Sequence, residues 1–161
     1  MHKTEIMEKK NPIAEARRYV ENAKEVIKKA DYDSSTKLYQ DNKYVRMAGN
    51  TLWNACLVAL ESVFKLSKGK GRPSIEKYLD AASKRDNKLV TYIDAAYNSN
   101  HLYMGYDGAI NKKACDAGFD DAKALIDYCE KLVCSNQHFM QQVDRNQKVS
   151  RERIMKKLTA S

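Results

Sequence analysis

Proline and glycine are scarce in this chain: two prolines and six glycines among 161 residues. So few breakers leave room for long uninterrupted helices and argue against a β sandwich with its many turns. No apolar run approaches the roughly 18 residues that a membrane-spanning helix needs. Met1–Lys10 alternates charges and has no apolar signal core. A cytoplasmic protein without a membrane partner is therefore expected. The four cysteines, Cys56, Cys115, Cys129 and Cys134, form no Cys-x-x-Cys pair, and no Cys/His spacing suits zinc. Cys115 and Cys129 are about four helical turns apart and share a helix face. Small buried thiols in a reducing compartment account for them.

Catalytic signatures are missing as well. Gly69-Lys70-Gly71-Arg72 lacks the upstream Gly and the following Ser or Thr of a phosphate-binding loop. There is no metalloprotease His pair and no recognisable Ser or Cys nucleophile motif. Carboxylates are scattered rather than set in Glu-x-x-His arrays. Neither a metal nor a cofactor is expected.

What is present is a globular composition, 43% hydrophobic and 31% charged, in a chain long enough for one real core. The formal charge of +8 is unevenly spread. Beyond Ser135, Arg145, Lys148, Arg151, Arg153, Lys156 and Lys157 face only Asp144 and Glu152. Lys65, Lys68, Lys70 and Arg72 make a second basic knot with no acid between them. Basic segments of this kind attract RNA, and they also keep proteins soluble.

Helical spacing organises the body. Asn11-Pro12 is a strong start, with Asn as cap and Pro in the first turn. Ile13, Ala16, Val20, Ala23, Ile27 and Ala30 follow as one stripe. Asp31–Tyr39 is polar and turn-rich and reads as a loop. Asp41 can cap a second helix to about Leu66, with Val45, Ala48, Leu52, Ala55, Ala59 and Val63 inward. Ser74 can cap a short helix to about Lys84, although Lys77 sits where a capping box wants Glu or Gln. Asp86 can open a helix in which Leu89, Ile93, Ala96 and Asn100 share a face. A last body helix is expected over about Asn111–Val133. The tail from Ser135 has helical composition, but Phe139, Val143 and Ile154 are sparse.

The stretch Tyr97–Gly108 holds His101, the only His in the strongly patterned region, among Tyr97, Tyr103 and Tyr106. Asp107-Gly108 reads as a sharp turn closing it. On a helix His101 can touch Tyr97 and Asn98, while Asp94 is too far along the axis to orient the imidazole. Asp107 is the remaining candidate partner for proton transfer. Tyrosine clusters suit interfaces and base-stacking platforms.

Lys43-Tyr44-Val45-Arg46-Met47-Ala48, Ser74-Ile75-Glu76-Lys77-Tyr78 and Gly105-Tyr106-Asp107-Gly108 together resemble a HEPN-type helical domain. More specifically, they resemble a small, functionally uncharacterised bacterial family of that general shape. The resemblance covers roughly residues 11–134. It implies a bundle that dimerises. In active HEPN ribonucleases an Arg and a His, separated by four to six residues, cleave RNA at the dimer interface without metal. His101-Leu102-Tyr103 is similar to the His-x-Tyr end of that motif. The places available to the Arg are Ala96, Ala95 and Asp94. Without that cation no motif group stabilises the charged phosphorane.

The expected architecture is all-α: an antiparallel four-helix bundle, HEPN-like, with one additional short helix and a basic C-terminal tail. Residues 1–10 form an N-terminal arm, 11–134 the bundle, and 135–161 the tail, which can add a helix. The expected role is binding without catalysis, as a homodimer, with a protein partner or RNA reached through the basic segments. Binding residues are Tyr97, His101, Tyr103, Tyr106 and Asp107. The alternative is a divergent metal-independent endoribonuclease using His101, Tyr103 and Arg46.

Overall fold

The structure is a computed structural model that describes residues 11–66 and 71–160. The arm 1–10, and Lys68 and Lys70 of the basic knot, lie outside the described residues. The described chain is mostly helical, and none of its helices is long and apolar enough to cross a membrane.

Helix α1 (Pro12–Lys28) begins where the side chain of Asn11 accepts the Ile13 amide at 3.1 Å. It buries Ile13, Ala16, Ala23 and Ile27 against α2 (Asn42–Val63), which the Asp41 side chain caps at the Lys43 amide. Helix α2 is the hub, packing on α1, on α5 and on the segment after α4. Its small residues Ala48, Ala55 and Ala59 are fully buried, which lets neighbours approach closely. The helix ends three residues earlier than expected, because Phe64 adopts extended angles and leaves the axis.

Two short helices follow, α3 (Ile75–Ser83) and α4 (Asn87–Ala96). Asp86 caps α4 at the Lys88 amide, whereas the Ser74 side chain makes no capping bond to α3. Leu52, Leu60, Leu89, Ile93, Leu125 and Ile126 are fully buried in one core. Each contributes about 1.5–3 kcal/mol of transfer free energy.

The expected loop at Asp31–Tyr39 holds a small antiparallel hairpin instead, β1 (Tyr32–Asp33) with β2 (Leu38–Tyr39). Asp33 closes its turn by accepting the Ser35 amide at 2.9 Å and the Ser35 hydroxyl at 2.7 Å. The hairpin is also held from outside. The Tyr39 amide donates to the Ile110 carbonyl at 2.8 Å, and Leu38 bridges Asn111. A polar loop thus becomes ordered by pairing with residues more than seventy positions away.

The second difference is α5, which runs without interruption from Lys112 to Thr159. No Gly or Pro follows Gly118 in the sequence, so nothing ends the helix near Val133. The residues expected as a separate tail or extra helix therefore continue α5. Its first half buries Cys115, Gly118, Ala122, Leu125, Ile126 and Cys129. Arg17 of α1 ties this half down through Asp127 at 2.9 Å and Glu130 at 3.0 Å. Beyond His138 the side chains are exposed, apart from a half-buried Val143.

Candidate functional site

At Ala96 the chain stops being an α-helix and continues as a π-helix from Tyr97 to Tyr106. Such segments are rare beyond a single turn and are frequently found at functional sites. The cause lies in the neighbours. A Cβ on Gly49 of α2 would stand 2.5 Å from Met104 Cβ and 2.6 Å from the Gly105 amide nitrogen. A Cβ on Gly118 of α5 would stand 2.6 Å from Met104 Sδ and 2.9 Å from Asn100 Oδ1. The wider helix fits because both flanking helices present bare backbone to it. Asn100 sits fully buried at its centre, and neither polar atom of its side chain has a hydrogen-bond partner among the described residues. The Ser99 hydroxyl is in the same position. Each such group costs on the order of 1–3 kcal/mol.

The far end of the π-helix is held by Arg46. Its guanidinium donates to the carbonyl of Tyr106 and, at 3.4 Å, to that of Asp107. A cation at a helix C-terminus satisfies carbonyls that have no other partner in the helix. Gly108 follows at φ +65°, a left-handed conformation that glycine adopts freely, and the Arg46 side chain lies over it.

The near end forms one wall of a cleft of about 430 Å³. Asn50, Trp53 and Asn54 of α2 face Tyr97 and His101 of the π-helix, and Arg72 lies at the side leading into α3. The Trp53 ring meets Tyr97 edge-on at 5.3 Å and His101 at 6.0 Å, and Tyr97 and His101 are 5.2 Å apart. Arg72 donates to Asn54 Oδ1 at 2.5 Å. Arg72 is the one cation among the described lining residues, and no carboxylate lines the cleft. The arrangement offers flat apolar rings, two amides one helical turn apart and a positive charge. It is poorly arranged for proton transfer, since no described side chain hydrogen-bonds the His101 imidazole to orient it.

The structure brings Tyr97 and His101 together, as the helical spacing anticipates. It places Tyr103 and Tyr106 elsewhere, 47% and 75% exposed, with Asp107 exposed at the end of the π-helix. Among the described residues no hydrogen bond links His101 to Asp107. Arg46 is spent on the Tyr106 and Asp107 carbonyls. Sequence reasoning missed Trp53, Asn50, Asn54 and Arg72. Asn50, Trp53 and Asn54 share one face of α2 by their spacing, but that helix also carries Lys43, Arg46, Thr51 and Glu61, so nothing in the local pattern sets this face apart.

The remaining chemistry-bearing groups are structural. Burial pushes the thiols of Cys56, Cys115 and Cys129 up, that of Cys115 to about 11 and that of Cys129 to about 12, so they stay protonated and inert. Cys134 departs from the expected pattern and is exposed. Among the described residues, no three His, Cys, Asp or Glu side chains converge on a common metal position.

A family model described as a domain of unknown function, DUF5618, matches residues 11–131. A solved structure of a protein of unknown function from Dyadobacter fermentans is 35% identical to this chain, with a TM-score of 0.68. The alignment covers 74% of this chain and 94% of that one. No curated protein matches the sequence. The exposed half of α5 lies beyond the family match.

Proposed function

This chain belongs to the DUF5618 family, a domain of unknown function, and on that premise we propose that it is a non-catalytic binding protein: a cytoplasmic homodimer built on a HEPN-like, antiparallel four-helix bundle. The observation that carries the reading is the environment of His101. Its imidazole packs among the rings of Trp53 and Tyr97 and has no hydrogen-bonding partner among the described side chains. A histidine placed this way contributes surface to a binding cleft. The dimer is supported by the outer side of the π-helix, where Tyr103 and Tyr106 expose large rings with polar tips, a chemistry enriched at interfaces. Met47 of α2, 46% exposed, adds to the apolar surface of the described chain.

The nuclease alternative requires Arg46 to meet the phosphate charge beside His101. Its guanidinium instead caps the π-helix, which favours the binding reading. Incubation of the purified protein with a structured RNA in the presence of a chelator tests the choice. No cleavage is expected. Cleavage by wild type that disappears in both His101→Ala and Arg46→Ala would replace binding with catalysis.

A further inference from the structure

We propose that the exposed half of α5 is a docking surface for a partner protein, which lays an acidic amphipathic helix along the stripe Met140, Val143, Gln147, Ser150 and Ile154. This rests on the reading of the protein as a binder and names a second surface with the kind of partner it takes.

The stripe continues the core. Leu125 and Cys129 are buried against the body, and Leu132 packs beside them. From Leu132, steps of three and four lead through Asn136 to Met140, Val143, Gln147, Ser150 and Ile154, so all of these lie on the same face of α5. Past His138 no other described helix covers that face. Met140 is 57% and Ile154 58% exposed, with Phe139 exposed beside them. Val143 and Ile154 line the two ends of a shallow groove of about 490 Å³, with Gln147 and Ser150 between them. A helix that inserts side chains between such ridges is a recurring mode of recognition.

Three observations select the occupant. The first is geometric. The stripe lies on the face by which α5 packs on the body, so the body stands on that side too. A flat bilayer cannot lie along the stripe without meeting the body. A helix can, in the layer where α1 and α2 pack on the first half of α5. The second is charge. Beyond Ser135 six basic residues stand against Asp144 and Glu152, and none of the six forms an ion pair among the described residues. By helical spacing the exposed Arg151 and Arg153 border the stripe on its two sides. A matching helix therefore carries carboxylates on its flanks. A second copy would bring the same six cations, and like charges across an interface are unfavourable. The third is the apolar content. A nucleic acid would answer the charge but leave Val143 and Ile154 facing water. Gln147 and Ser150 sit midway along the stripe, where a polar layer fixes register at some cost in affinity.

The probe is a fluorescein-labelled synthetic helix of about three heptads, with Leu and Ile along its seam and Glu at the flanking positions. A control peptide keeps the seam and carries Lys at the flanks. Anisotropy is followed as full-length protein is added. Saturable binding of the Glu peptide is expected, weakened by added salt and absent for the Lys peptide. Arg151→Glu combined with Arg153→Glu should weaken it by about tenfold or more. Ile154→Asp should do the same, which adsorption by charge alone would not. These three side chains are exposed, so the circular dichroism spectrum of each variant should match wild type. No binding of the Glu peptide, equal binding of the Lys peptide, or binding indifferent to either variant would overturn the proposal. Wild type that sediments with phosphatidylglycerol vesicles, and ceases to with Ile154→Asp, would give the stripe to a lipid surface. A wild-type dimer that dissociates with Ile154→Asp would give it to a second copy. Either result overturns the proposal. A wild-type dimer that binds neither peptide removes this partner and leaves the binding protein standing.

Discussion

Gly49 of α2 and Met104 of the π-helix meet so closely that a Cβ on the glycine would lie 2.5 Å from the methionine Cβ. On an ordinary helix, Gly→Ala gains about 1 kcal/mol. Here the sign reverses, because the added carbon also meets the Gly105 amide nitrogen and the Asn100 carbonyl. Gly49→Ala is expected to destabilise the protein by about 1–3 kcal/mol, read by urea denaturation. A stabilised variant would mean that the π-helix is not wedged against α2.

Arg46 acts on the same segment from its other end. Arg46→Ala should cost about 1 kcal/mol by leaving the Tyr106 and Asp107 carbonyls uncapped. Amide hydrogen exchange should speed up locally at Asp107, Gly108 and Ala109, whose amides close the end of the π-helix. Exchange that accelerates evenly across the whole protein would contradict a local capping role.

The exposed half of α5 should be dispensable for stability. Its last ties to the body include Arg85, which donates to Asn136 at 3.0 Å. Truncation after His138 removes residues that are exposed except for Val143. The thermal midpoint should shift by no more than about 2–4 °C, while the far-UV signal loses about twenty residues of helix. A larger drop would show that Phe139, Met140 and Val143 dock on the body.

Alkali provides a separate test. The Tyr128 hydroxyl donates to the Asp86 carboxylate, and this bond pushes the phenol up to about 12 from its ordinary 10. The same bond, with the Lys88 amide, holds Asp86 below the usual carboxylate range. A raised phenol pKa gives stability that is complete below pH 10 and is lost as pH rises through about 12. Tyr128→Phe should therefore flatten the stability profile across that interval in denaturation curves. A profile identical to wild type would remove the bond from the account.

Much of the body is legible in the sequence because its signals are local. Asn11, Asp41 and Asp86 cap the helices that follow them, and Leu52, Leu89 and Ile93 are buried on the faces their spacing predicts. The missed features depend on distant partners. The hairpin forms because Leu38 and Tyr39 pair with Ile110 and Asn111. The π-helix is shaped by Gly49 and Gly118, one on each flanking helix. Arg72 enters the cleft only because the chain before α3 returns to α2 at Asn54. Tyr97 and His101 were found because they lie one turn apart. Trp53 was missed because nothing local to it reveals that they face it.

The proposed homodimer would associate through the outer side of the π-helix. Sedimentation equilibrium across the micromolar range measures it most directly, with wild type beside a Tyr103→Ser, Tyr106→Ser double variant. Both tyrosines are exposed, so the variant should keep its helical spectrum. A dimer is expected for wild type and a monomer for the variant, since aromatic anchors carry a large share of the binding energy at protein interfaces. A wild-type protein that stays monomeric at tens of micromolar, or a double variant that dimerises as well as wild type, would contradict it.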